Sequence, residues 1–140
     1  MQVGIIGAGA MGRVHAQALS QIAGVAVAAV GARQPGPAAG ELARAHGAEL
    51  LNVAELLARP AIDVVVIATP TDSHLELVRA AANAGKQIIC EKPLARTLAE
   101  GEALIEAARA AGVKLAVGHV VRYFPEYAQA RALALSGELG

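Results

Sequence analysis

A short apolar run, Val3 to Ile6, leads straight into Gly7, Gly9 and Gly12, and a helical pattern starts at Met11. This G-x-G-x-x-G spacing between a strand and a helix constrains the chain more than any other feature, because each glycine answers a different steric demand. Gly7 permits the tight strand-to-helix turn, Gly9 leaves room for a pyrophosphate against the backbone, and Gly12 lets the helix lie close to the strand. The first-turn N–H groups of such a helix lack internal partners, and its dipole favours an anion there. Gly7, Ala8, Gly9, Ala10, Met11 and Gly12 are therefore candidate dinucleotide-binding residues. An ordinary glycine-rich turn is the competing reading.

The rest of the chain alternates between strand-like and helical patterns. Strands are expected at Val3–Ile6, Val25–Val30, Glu49–Leu51, Ile62–Ala68, Gln87–Cys90 and Lys114–Val117. Helices are expected at Met11–Gln21, with Val14, Ala18 and Leu19 on one face, and at Ala38–Ala45 and Val53–Ala58. Three more are expected at His74–Ala84, Leu98–Ala111 and Glu126–Ser136. Asp72 or Ser73 is the candidate cap for the fourth helix and Thr97 for the fifth, with Gly85 and Gly112 as their stops. Such alternation builds βαβ units on a parallel sheet. With the glycine turn on the first strand, the expected fold is an α/β Rossmann-type doubly wound sheet in order 3-2-1-4-5-6. Helices cover both faces, and ligand sits beyond the carboxyl ends of the strands.

Composition fits that architecture. The 140 residues are 55% hydrophobic but hold one Phe, two Tyr and no Trp, so the core must be built from Ala, Val, Leu and Ile. A formal net charge of zero gives no electrostatic footprint for nucleic acid or an anionic membrane. The single cysteine, Cys90, cannot form an internal disulfide and lies in an apolar run, which suits a packing role and a reducing compartment. The start of the chain carries no basic segment before its apolar run, and no apolar stretch approaches the ~20 residues that span a bilayer. A cytoplasmic protein is the expectation. No His, Cys and Asp cluster has metal-ligand spacing, and His15 and His46 read as surface helix residues.

The end of the second strand bears on cofactor choice. An acidic residue there, about 20 residues past the glycines, binds the ribose 2′-OH of NAD. This chain instead reads Val30-Gly31-Ala32-Arg33. The missing carboxylate and adjacent Arg33 favour a 2′-phosphate, and hence NADP over NAD, with Ala32 and Arg33 as contacts.

Three further motifs follow in order: Ala68-Thr69-Pro70-Thr71-Asp72-Ser73-His74, Cys90-Glu91-Lys92-Pro93-Leu94, and Val117-Gly118-His119-Val120-Val121-Arg122-Tyr123-Phe124-Pro125. Together with the glycine turn they resemble the nucleotide-binding domain of the Gfo/Idh/MocA oxidoreductases over essentially the whole chain. The resemblance implies that Ala68, Thr69 and Pro70 end the fourth strand beside the nicotinamide half of the cofactor, and that His74 opens the next helix near it. Glu91, Lys92 and Pro93 match the E-K-P signature, whose lysine lies by the nicotinamide and the substrate hydroxyl and whose Lys–Pro peptide is often cis. Arg122 matches an arginine near the site. Val120 stands where many of the family carry Asn, which removes a polar contact.

Residue chemistry supports these roles independently. An ammonium fixed at Lys92, between a strand end and Pro93, can polarise an oxygen on which charge develops during hydride transfer, or join a proton relay. Lys92 is therefore the candidate catalytic residue. Glu91 either fixes its position or binds cofactor. His119 either lines the substrate pocket or is simply half-buried.

Enzymes of the family are usually more than twice this length, with a C-terminal α+β domain that supplies most of the substrate pocket and the oligomer interface. The resemblance thus implies one nucleotide-binding domain over 1–140, its core about 1–120, with 121–140 leading toward that further domain, present in cis or in trans. The expected function is the cofactor half of an NAD(P)-dependent dehydrogenase of a sugar, cyclitol or related polyol, a homo-oligomer when full length. The alternative is a stand-alone dinucleotide binder or redox sensor without turnover. E-K-P favours the enzyme, because a pure binder has no need of a lysine at the reacting end.

Overall fold

The computed structural model describes residues 1–138. Six strands, β1 (Gln2–Ile6), β2 (Ala26–Ala32), β3 (Glu49–Asn52), β4 (Val64–Ile67), β5 (Gln87–Cys90) and β6 (Leu115–Val117), form one sheet in order β3-β2-β1-β4-β5-β6. Every pairing is parallel. The expected strand order is therefore the observed one. The helices are α1 (Ala10–Ser20), α2 (Pro37–His46), α3 (Val53–Ala58), α4 (His74–Asn83), α5 (Leu98–Ala110) and α6 (Pro125–Ser136). Short 3₁₀ turns, Thr71–Ser73 and Val120–Tyr123, precede α4 and α6.

Strand alternation divides the core into two layers. Val3, Ile5 and Val66 face Ala16 of α1 and Ala39, Leu42 and Ala43 of α2. Ile6, Val65, Ile67 and Ile88 face α3, α4 and α5 through Leu56, Leu57, Val78, Ala81 and Leu104. On β2, Val27 and Ala29 fall in opposite layers although two residues apart. The β1–β2 register shifts between Val3 and Gly4, which accounts for the break in alternation.

The small residues of the sheet are matched to one large one. Leu56 is fully buried, and Cβ atoms on Gly4 and Gly31 would lie only 2.7 and 2.9 Å from its methyl carbons. Gly4→Ala is expected to cost about 1–3 kcal/mol through overpacking. In a Leu56→Ala background the same change should cost less by about 0.5 kcal/mol or more, because the new methyl enters the vacated space. Urea denaturation of the four proteins measures this coupling; strict additivity would contradict the packing account.

Two expectations fail locally. The inward stripe of α1 is Gly12, Ala16 and half-buried Leu19, whereas Val14 is 54% exposed and Ala18 is also exposed. The apolar residues suggested a hydrophobic stripe, but close packing selects small residues. Neither Asp72 nor Ser73 caps α4 with its side chain. The Ser73 hydroxyl instead donates to the Pro70 carbonyl at 2.7 Å, because the 3₁₀ turn delivers the chain into the helix without an extended cap residue. Thr97 does cap α5, accepting from the Glu100 N–H at 3.2 Å. A signal absent from the sequence pattern is Lys86, which is buried and donates to the carbonyls of Arg59 and Ile62 at 2.6 and 2.9 Å. It anchors the backbone just past the end of α3, adding a second donor to the Arg59 carbonyl, which also accepts the Ile62 N–H at 3.2 Å.

Candidate dinucleotide and reaction site

The carboxyl ends of β1, β2 and β4 open on a groove of ≈ 690 Å³, lined by Gly7, Ala32, Arg33, Thr69 and Pro70 among others. Gly7 has φ 105°, and a Cβ there would lie 2.6 Å from the Ala68 carbonyl oxygen, so both conformation and space require glycine. Its N–H donates to the Gly31 carbonyl, which ties the turn to β2. A Cβ on Gly12 would overlap the Gly7 carbonyl oxygen, so α1 lies directly on the turn. Gly9 caps the helix without a side-chain bond, and nothing lies within 4 Å of the position its Cβ would occupy. The exposed backbone at Gly9 and Ala10, with no acidic residue in the first turn, fits an anionic pyrophosphate. Ala8 and Met11 are half-buried members of the same turn, and Ala68 is half-buried where β4 ends.

Arg33 projects at the groove 3.6 Å from Glu76, both largely exposed. Such a solvated pair contributes little stability, so its relevance lies in what it presents to a ligand. Asn52, also lining the groove, caps α3: its side chain accepts from the Glu55 N–H at 2.9 Å while the Glu55 carboxylate accepts from the Asn52 N–H at 3.0 Å.

A second constellation stands past the ends of β5 and β6. Lys92, Pro93, Gly118, His119 and Arg122 share a pocket of ≈ 560 Å³ with residues of the 3₁₀ turn and α6. The Lys92–Pro93 peptide is cis. His119 thus lines the pocket. Arg122, expected near the site, stands here on the Val120–Tyr123 turn and does not line the glycine groove. Val120 lines the same pocket.

Two histidines depart from expectation. His74, expected near the cofactor, is 1% exposed. Its Nδ1 and Nε2 lie 3.1 Å from the carbonyl oxygens of Leu94 and Thr69 respectively, so it ties α4 to the loop after β5 and to the end of β4. It supports the groove from beneath and offers a ligand no surface. His15, expected at the surface, has a side chain only 18% exposed, with Nε2 2.7 Å from Oε1 of Glu91. Glu91 is itself buried, and its Oε2 accepts the Lys92 N–H at 3.1 Å. Of the two roles open to Glu91, the geometry supports the first, fixing the lysine. The signal for His15 was its place three residues after Gly12, on the helix side that faces the sheet. Cys90 is buried, and desolvation, followed by the neighbouring Glu91 charge, pushes its thiol up to about 12. No thiolate forms there near neutral pH, which leaves a packing role.

The sheet order, the glycine turn at its switch point and the groove across it define a dinucleotide-binding domain of the oxidoreductase type. A family model described as "Oxidoreductase family, NAD-binding Rossmann fold" matches residues 1–119, and the chain belongs to this Gfo/Idh/MocA family. Inositol 2-dehydrogenase of Rhizobium meliloti is 36% identical over 140 residues, covering 100% of this chain and 42% of that protein. The 4-carboxy-2-hydroxymuconate-6-semialdehyde dehydrogenase of Sphingobium sp. is 36% identical over 141 residues, 99% of this chain and 44% of that protein. The solved structure of GenD2 from gentamicin A biosynthesis, in complex with NAD, superposes with a TM-score of 0.91 at 32% identity, covering 96% of this chain and 38% of that one. The chain therefore spans less than half the length of these relatives. Among the described residues no helix is long and apolar enough to cross a membrane.

Proposed function

We propose that this chain is the dinucleotide-binding half of an NAD(P)-dependent oxidoreductase that moves hydride between nicotinamide and the carbinol carbon of a sugar, cyclitol or related polyol. The observation that carries the reading is the placement of the glycine-turn groove and the Lys92 pocket on the same carboxyl edge of one parallel sheet. When bound, the nicotinamide supplies the hydride acceptor or donor. The chain's residues supply the rest: the turn from Gly7 to Gly12 takes the pyrophosphate, Thr69 and Pro70 bound the groove beyond β4, and Lys92 orients the reacting oxygen. Val120, Val121 and Tyr127, which line the Lys92 pocket, are 42%, 45% and 58% exposed, which supports a substrate domain, in cis or in trans, covering this face. The polyol class is supported by relatives named for inositol and levoglucosan.

NADP is the favoured cofactor, since β2 ends on Ala32, followed by Arg33, with no carboxylate of its own; the Glu76 carboxylate, 3.6 Å from Arg33, is the group a 2′-phosphate would have to displace. A fluorescence titration with NADPH and with NADH tests both statements. NADPH should bind tighter, and Arg33→Ala should weaken NADPH about tenfold, as expected for one lost charged hydrogen bond, while leaving NADH unchanged. A preference for NADH would refute the cofactor choice alone; failure to bind either would refute the dinucleotide reading.

A further inference from the structure

Among the described residues, Glu91 is the one buried carboxylate. Burying a charge is costly unless it is paired and hydrogen-bonded, and an apolar replacement of a buried ion pair is often no less stable. Fold stability alone therefore gives weak grounds for a carboxylate at this position. Its contacts suggest another reason. Oε1 is 2.7 Å from His15 Nε2, and because a carboxylate only accepts, that nitrogen carries the proton. Oε2 accepts the backbone N–H of Lys92 at 3.1 Å. A Cβ on Gly118 would come within 3.0–3.3 Å of the carboxylate atoms, so the end of β6 bounds the same group. One side chain thus joins the helix that starts at the phosphate turn, the end of β5 and the end of β6. The two partners are 76 residues apart in sequence.

We infer that His15 and Glu91 are a positioning pair that registers Lys92 against the glycine turn. Without it, the lysine at the tip of β5 is held by its own strand and, two residues on, by the His74 contact to the Leu94 carbonyl, neither of which refers it to α1. With it, α1 sets where the Lys92 backbone sits, so the groove and the reaction pocket keep a fixed spacing. The inference rests on the reading of Lys92 as the group at the reacting end, but its test does not depend on ligand binding.

The chain has three lysines, Lys86, Lys92 and Lys114, so ¹³C-dimethylation gives a sparse set of NMR signals, with Lys92 assigned by Lys92→Arg. Two amide variants at His15 separate geometry from polarity. In His15→Gln the side-chain nitrogen reaches as far as Nε2; in His15→Asn it falls short. His15→Asn should displace the Lys92 signal by more than its line width and speed exchange of the Lys92 amide proton, with Lys114 unmoved. His15→Gln should restore both toward wild type. A structural role alone lowers the melting temperature and leaves the Lys92 signal in place. An unmoved Lys92 signal in His15→Asn, or equal displacement in both variants, would overturn the inference. Failure of the wild-type chain to bind NAD(P)H, with the Lys92 signal displaced in His15→Asn and restored in His15→Gln, would count against the dinucleotide reading and leave the positioning pair standing.

Discussion

Gly9→Ala and Gly12→Ala are expected to fail in opposite ways. The two glycines lie three residues apart in one turn, yet their surroundings differ completely. Gly9 has extended backbone, φ −72° and ψ −168°, which alanine adopts without strain, and its Cβ would meet nothing within 4 Å. Gly9→Ala should leave unfolding free energy within about 0.5 kcal/mol of wild type, as for an exposed substitution away from special features. It should nevertheless weaken NAD(P)H at least tenfold, because the methyl occupies the space left for the pyrophosphate. Gly12→Ala places its methyl onto the Gly7 carbonyl oxygen, a backbone atom that no rotamer change can move. The helix must shift off the turn, at a cost at or above the upper end of the usual 1–3 kcal/mol for overpacking, and binding falls with it. Chemical denaturation paired with NADPH titration reads both quantities. Gly9→Ala that binds normally would remove the pyrophosphate from this turn; Gly12→Ala that folds with native stability would contradict the close approach of α1.

The same contrast shows what the sequence makes legible. Backbone demands write themselves into residue type: a turn that needs φ near 105° leaves a glycine, and a helix resting on a carbonyl leaves another. The parallel sheet was equally legible, because Val64 to Ile67 and Gln87 to Cys90 are apolar runs of strand length between helical patterns. Long-range polar contacts left no such trace. His15 carries no local mark of its partner just past β5, and His74 looks like a helix-opening residue until two carbonyls close on its ring. Arg122 shows the same division: its motif position is fixed along the chain, but the 3₁₀ turn that follows β6 decides that it joins Lys92 in the second pocket. On α1 Val14 and Ala18 point outward, since a helix pressed onto a turn is selected for small residues at Gly12 and Ala16 and not for the most hydrophobic ones.

Lys92→Ala is expected to reduce turnover by about 10²–10³ in an enzyme built on this domain, the range seen when one preorganised donor to a developing charge is removed. Dinucleotide affinity should change by less than about twofold, because the lysine lines the pocket beyond β5 and not the groove at the glycine turn. A split of this kind places the interaction in the transition state. Lys92→Arg separates the two chemistries open to the residue. A guanidinium keeps the positive charge but does not give up its proton near neutral pH. Partial recovery in Lys92→Arg would identify polarisation of the substrate oxygen as the main role, whereas activity as low as in Lys92→Ala would identify proton transfer. Steady-state rates with a polyol substrate, alongside NAD(P)H titration of each variant, supply the comparison. Equal losses in turnover and in cofactor affinity would assign Lys92 to binding and leave the reacting oxygen to another group. The neighbouring geometry favours the first result: the Lys92 backbone is held by a buried carboxylate while its side chain stands exposed in a pocket shared with His119 and Arg122. A fixed stem with an accessible head is what orientation of a substrate oxygen requires, and a residue needed only for cofactor affinity would have no use for it.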